Sequence, residues 1–269
     1  MYHGRSFEDV MFLRRGPGFL HARARGAGRS RAGALLSFVP AAAMAILAAA
    51  AASVPARAGD VTGRVTYAGD PPAVKPIEIT KDPEVCGRTP HLDDSLVVGA
   101  DRGILNVVVR VADPGDDAKP MPAPASSPAL DQNACRFVPR IALVPVGTPL
   151  DFLNNDGILH NIHTWSKLNP SFNRAQPKLK KVMTETFASP ELFRVTCDVH
   201  PWMTGWVVVA GHAYYAVTGP DGRFSLAGVP AGTRTLEFWH ERLGVQKKQV
   251  TVPASGELKV DLTLPATAP

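Results

Sequence analysis

The stretch 193–209, FRVTCDVHPWMTGWVVV, decides the fold class of this protein. Phe193, Val195 and Cys197 alternate with polar residues, which predicts a β-strand that turns the thiol towards a core. Pro201 ends this strand, and the run WVVV that follows predicts the next one. We therefore expect two neighbouring strands joined by a tight loop that carries a thiol, an imidazole and a thioether.

The rest of the chain shows the same pattern of short strand-like runs separated by turn residues. Short runs rich in Val, Thr, Phe and Leu are separated by Gly, Pro, Asp and Asn, and the 269 residues include 25 Pro and 23 Gly. No long segment shows helical periodicity, so we predict an all-β protein built of β-sandwiches. With 45% hydrophobic residues the chain is not globally disordered. The Pro-, Ala- and Ser-rich stretch 113–130 predicts a surface loop.

The net charge of +5 is concentrated in a leader segment. Residues 1–58 carry a net charge of +6 and residues 59–269 one of −1, so the body shows no basic surface typical of nucleic-acid binding. An Arg-rich stretch, the apolar run Gly33–Val54 and Ala-Arg-Ala before Gly59 form the layout of a secretory signal. We expect cleavage after Ala58, release into the periplasm and no membrane span afterwards; an uncleaved anchor is the alternative.

Four side chains in two distant segments form a candidate metal site. Cys197, His200 and Met203 follow the pattern C-x-x-H-x-x-M, which is only moderately specific because Cys and Met are common in cores. Upstream, His160 follows a turn-rich NNDG, and 37 residues separate it from Cys197, enough for the chain to return to the same end of a sandwich. Two imidazoles, a thiolate and a weak axial thioether are the ligands of a trigonal blue-copper site, whereas zinc prefers a fourth strong ligand.

At these residues the sequence resembles the cupredoxins, and most closely their amicyanin branch. The pattern F-x-P, V-x-x-G-T, F-x-N-x-D and H-N-x-H is similar to that family's approach to the first ligand, and C-x-x-H-P-aromatic-M has the short amicyanin spacing. The likeness covers about residues 101–210 and departs from the family at the Pro-rich insert 113–130.

The resemblance implies a Greek-key β-sandwich that binds one type 1 copper. It implies that His160, Cys197, His200 and Met203 are the copper ligands. It also implies that Asn161 ties the two ligand loops together and donates a backbone hydrogen bond to the cysteine sulfur.

A second small β-sandwich is predicted at the carboxyl end. In residues 211–269, PDG and VPAG predict turns between short strands, and the texture is similar to carboxypeptidase-regulatory-like, transthyretin-type modules, which implies a structural or adhesive role. The opening VTGRVTYAGDPP is similar to the first strand of such a module. The sequence leaves open whether residues 59–100 pair with this module.

Cys86 and Cys135 remain once Cys197 is assigned to the metal. In an oxidising compartment we expect them to form a disulfide; two buried free thiols are the alternative.

The predicted function is that of an exported one-electron carrier with no catalytic residues. Pro201, Trp202 and Met203 around His200 predict an apolar patch on which a redox partner docks transiently. Lys178, Lys180 and Lys181 predict either a solvated turn or a surface that steers an acidic partner. Copper storage or delivery is the alternative function. A redox enzyme, which the absence of a His-rich second site in the sequence disfavours, and a metal-free structural sandwich are the third and fourth interpretations.

Overall fold

A computed structural model of the protein describes residues 58–116 and 118–266. The predicted signal segment 1–58 lies outside the described residues except for Ala58. Within the described part of the chain, no helix has both the length and the apolar character needed to cross a bilayer.

The described residues form seventeen strands and one short helix, so the predicted all-β fold is confirmed. In chain order the elements are β1 (Ala58–Tyr67), α1 (Pro83–Cys86), β2 (Val108–Val111), β3 (Ala129–Asn133), β4 (Arg136–Val138), β5 (Ile141–Pro145), β6 (Pro149–Asn154), β7 (His160–Thr164), β8 (Asn173–Gln176), β9 (Val182–Thr186), β10 (Glu191–Thr196), β11 (Thr204–Ala210), β12 (Tyr215–Val217), β13 (Arg223–Pro230), β14 (Gly232–His240), β15 (Gly244–Val252), β16 (Glu257–Lys259) and β17 (Leu262–Leu264).

The first sandwich holds the candidate metal ligands. One sheet has the strand order β5-β11-β10-β7-β8, and the other has the order β4-β3-β6-β9. Alternate side chains of both sheets meet in one core that includes Phe152, Ile162, Phe193 and Val207. Burying a side chain of this size contributes about 1.5–3 kcal/mol, so this core fixes the strands that present the ligand loops.

The second sandwich joins the two ends of the described chain. Its sheets have the orders β13-β1-β16, with β17 also paired to β1, and β12-β2-β14-β15. Val61 and Val65 of β1 share its core with Leu236 and Phe238 of β14. Residues 59–100 thus contribute a strand to the carboxyl-terminal sandwich, a pairing that the sequence left open.

A close backbone approach makes this pairing possible. A Cβ atom on Gly63 would lie 1.9 Å from the carbonyl oxygen of Val260. Only glycine lets the middle of β1 lie this near the segment that joins β16 to β17.

Two details differ from the expected segment boundaries. Strand β2 falls within the segment 101–210, yet it pairs with β12 and β14 of the second sandwich. Val109 and Val111 point into the second core, while Val108 packs in a cluster with Ile141 and Val208 of the first sandwich, so this strand buries valine side chains on both faces. The predicted loop 113–130 ends at residue 128, because β3 begins at Ala129 and pairs with β6.

Candidate metal centre

The loop between β10 and β11 is closed by its own backbone. The amide of Met203 donates to the carbonyl of His200 at 2.9 Å, and the amide of Cys197 donates to the carbonyl of Met203 at 3.3 Å. Phe193 and Val195 are buried along β10, so the alternation continues inward to Cys197, which is 2% exposed. The side chain of Met203 is buried in the same core cluster as Cys197.

His160 reaches this loop from the neighbouring strand. It begins β7, which pairs with β10 through Thr164 opposite Val195 and His163 opposite Thr196. The Nδ1 atoms of His160 and His200 each lie 3.7 Å from the Sγ of Cys197, and neither imidazole is exposed. The structure therefore brings together the three strong ligands that the sequence predicted.

The spacing fits a single ion. An ion about 2.0 Å from each nitrogen and about 2.3 Å from the sulfur, with roughly 120° between the bonds, requires a sulfur-to-nitrogen distance of about 3.7 Å. The two distances in the structure are both 3.7 Å. Two imidazoles, one thiolate and a thioether buried in the same core cluster form a mixed nitrogen and sulfur donor set that suits copper.

Carboxylates hold the outer nitrogens of both imidazoles. The Nε2 of His160 lies 2.8 Å from Asp156 Oδ2, and the Nε2 of His200 lies 2.9 Å from Asp82 Oδ2. Each carboxylate accepts a hydrogen bond from Nε2 and so orients the ring with Nδ1 towards Cys197. The NNDG turn before His160 was a signal for Asp156. No local signal marked Asp82, which lies 118 residues from His200.

Asn161 connects the two ligand loops. Its backbone amide donates to the Sγ of Cys197 at 3.5 Å, and its side-chain oxygen accepts from the amide of Asp198 at 2.5 Å. Its Nδ2 also donates to Asn173 Oδ1. These contacts fix the separation of the loops and place a hydrogen-bond donor on the sulfur.

The pocket favours a thiolate. Burial opposes the ionisation of Cys197, yet hydrogen bonds from His160, His200 and Asn161 outweigh it and lower the pKa of the thiol to about 6. Burial likewise opposes a charge on His160, but hydrogen bonds with Asp156 and Cys197 raise the pKa of this imidazole to about 9. The thiolate that a metal requires is therefore present at neutral pH.

The connector between β1 and β2 covers the edge of His200. The connector contributes Asp82, which precedes α1 and contacts His200 Nε2. From the ligand loop itself, the ring of Trp202 lies 5.3 Å from the ring of His200. The predicted docking patch is therefore wrong as an exposed apolar surface, because Met203 is buried, Trp202 is half-buried and only Pro201 is exposed.

A disulfide fastens this cover to the first sandwich. Cys86 at the end of α1 is bonded to Cys135 in the turn between β3 and β4. Both sulfur atoms lie within 4.8 Å of a ring nitrogen of His200. The cover and the ligand loop are thus held together at the metal end of the sandwich.

Part of this chain is similar to solved structures of copper proteins. No protein-family model and no curated protein matches the chain. Amicyanin from Paracoccus versutus is 18% identical, with a TM-score of 0.29 over 38% of this chain and 97% of that chain. A purple cupredoxin from Nitrosopumilus maritimus is 22% identical, with a TM-score of 0.28 over 31% of this chain and 100% of that chain.

A copper-containing nitrite reductase from Thermus scotoductus is also similar in part. It is 23% identical, with a TM-score of 0.28 over 34% of this chain and 25% of that chain. With TM-scores this low, the likenesses carry no argument about the site, which rests on its own geometry. The similarity of residues 211–269 to carboxypeptidase-regulatory-like modules is not shown and stays a prediction.

Proposed function

We propose that this protein is an exported type 1 copper protein that carries single electrons between redox partners. In this proposal His160, Cys197 and His200 would hold the copper as strong ligands, and Met203 would supply a weak thioether ligand. The observation that supports it most directly is the buried triangle in which two Nδ1 atoms each lie 3.7 Å from one thiolate sulfur. Copper bound there would accept and release one electron.

The surrounding residues suit a site that changes oxidation state with little movement. Asp82 and Asp156 hold the two imidazoles, and Asn161 holds the sulfur. Both carboxylates are engaged on the outer nitrogens, which argues against their serving as the fourth strong ligand that zinc prefers. Since the imidazoles are fully buried and the thiol is 2% exposed, the site offers a substrate no direct approach, so we assign the protein no catalytic role.

Export fits the cysteine chemistry. The Cys86–Cys135 bond belongs to an oxidising compartment. We therefore place the protein in the periplasm, with the signal removed after Ala58.

The test is to add Cu(II) to the purified protein and to its Cys197→Ser variant, and to record visible and EPR spectra. We expect an intense blue or green thiolate charge-transfer band and narrow copper hyperfine coupling in the parent protein. Both should be lost in the variant, because serine supplies no thiolate.

A pale tetragonal spectrum that is the same in both proteins would refute the copper assignment. A blue site that binds one oxidation state far more tightly, and does not cycle reversibly in voltammetry, would instead favour copper storage or delivery.

Asp82→Asn is expected to weaken copper binding about tenfold, the lower end of the usual effect of losing a carboxylate behind a ligating histidine. Asn removes the negative charge from His200 Nε2 and tolerates the left-handed backbone at this position, where φ is 45°. The measurement is competition with a coloured copper chelator. Glu84→Gln, an exposed charge on the short helix that follows Asp82, is the matched control. Equal dissociation constants for the two variants would show that Asp82 does not position the ligand.

A further inference from the structure

A basic turn with an exposed leucine at its tip lies between β8 and β9. It comprises residues 177–181, with the sequence PKLKK, and the amide of Lys180 donates to the carbonyl of Pro177 at 2.8 Å. The side chain of Leu179 is 90% exposed, and Leu159, which precedes the predicted ligand His160, is 47% exposed. Two large apolar side chains thus stand in solvent at the metal end of the first sandwich.

Hydrogen bonds fix this turn to the loop that carries Leu159. The amide of Asn154 donates to the carbonyl of Lys181 at 2.9 Å, and Lys181 Nζ donates to the carbonyl of Asn154 at 3.3 Å. The fully buried Asn154 side chain donates to the carbonyls of Ile158 and Gln176, and Gln176 pairs with His160 in the sheet. The turn is therefore held in a set position relative to His160.

The lysines of this turn are not neutralised by neighbours. Among the described residues, Lys178, Lys180 and Lys181 form no ion pair. On the adjoining segments, Asp156 is paired with His160, and Asp131 accepts a hydrogen bond from Asn155 and forms no ion pair with these lysines. Because residues 59–269 carry a net charge of −1, this is a local positive surface on a near-neutral body.

We propose that Leu159 and Leu179, with the lysines at 178, 180 and 181, form the docking surface for an acidic redox protein. This inference rests on the proposed electron-carrier function. A small apolar centre surrounded by charge suits a transient encounter, since the apolar contact gives some affinity and the charges select and steer the partner. Because the β1–β2 connector covers the buried His200, the alternative docking site around that imidazole is not accessible to a partner.

The test uses succinylated cytochrome c, whose lysines have been converted to carboxylates, as an acidic redox protein. It is titrated into the ¹⁵N-labelled protein while amide signals are recorded. We expect shifts and broadening at residues 154–160 and 176–182 that weaken as salt is raised. Unmodified, basic cytochrome c serves as the control and is expected to leave these signals unchanged.

Variants sharpen the test. Changing Lys178, Lys180 and Lys181 together to Gln should weaken the apparent affinity about tenfold, and Leu179→Ser should weaken it without a change of charge. The matched control changes Lys247, Lys248 and Lys259 to Gln; these exposed lysines lie on the second sandwich and the change of total charge is the same.

Three results would overturn the inference: perturbations centred on Trp202 and Met203, perturbations centred on the exposed Trp165, or equal affinities for the two triple variants. Because the titration needs no copper, its outcome is separate from that of the spectral test. A blue protein with perturbations elsewhere would reject this surface and leave the carrier function standing.

Discussion

Replacing Cys86 and Cys135 together by Ala is expected to lower the free energy of unfolding by about 4 kcal/mol. The bond closes a loop between residues 49 apart, and its loss frees that loop in the unfolded chain. For a domain of this size the melting temperature should fall by roughly 8–16 °C. Circular dichroism or calorimetry of the variant against the parent measures the change.

A second observation separates the cross-link from the packing of its side chains. Both cysteines are at most 1% exposed, so the alanines also leave small cavities. The parent protein under a strong thiol reductant keeps the sulfur atoms but loses the bond, and its stability should fall by a similar amount. A fall of less than about 1 kcal/mol in both cases would show that the bond does not restrain the unfolded chain as the loop-entropy account requires.

Acid is expected to destabilise the second sandwich through His240. Burial, reinforced by the charges of Arg140 and Arg242, lowers the pKa of His240 from 6.5 to about 4. Below pH 6.5 the unfolded chain therefore takes up a proton that the folded protein refuses until about pH 4. Stability is lost as the pH falls through this window, by about 2 kcal/mol between pH 7 and pH 5 and about 3 kcal/mol once the pH is below 4.

The variant His240→Asn isolates this effect. The amide of Arg242 donates to His240 Nδ1 at 3.2 Å, and an asparagine oxygen supplies a similar acceptor without titrating. Urea unfolding at pH 7 and pH 5 should show a smaller loss in this variant than in the parent. His163→Asn, at a partly exposed histidine of the first sandwich, should behave like the parent. An unchanged loss in His240→Asn would mean that other groups cause the acid sensitivity.

The fixed charges near His240 show how distant segments meet. Arg140, between β4 and β5, forms a bidentate pair with Glu241 beside His240 and also contacts Asp94 of the connector. The sequence predicted none of these pairs. Nothing in the local sequence distinguishes an arginine that pairs with a carboxylate 101 residues away from an arginine that faces solvent.

The all-β architecture and the ligand loop could be predicted because both depend on short-range pattern. Alternation along 193–197 turns the thiol inward, and three candidate ligand atoms lie in the loop that joins β10 to β11. The strand itself ends at Thr196, earlier than the end predicted at Pro201. His160 was recognised from its NNDG turn, and a plausible return distance was enough to join it to Cys197.

The sequence by itself therefore determined the all-β class, the buried side of the strand that leads to Cys197 and the candidate ligands His160, Cys197 and His200. Only the tertiary structure decided that β1 and β2 belong to the second sandwich, that Asp82 orients His200 and that a disulfide-fastened cover buries the imidazole edge. The physical reason is that periodicity specifies which face of a strand is buried but not which distant segment covers it. That choice depends on how all the strands pack together.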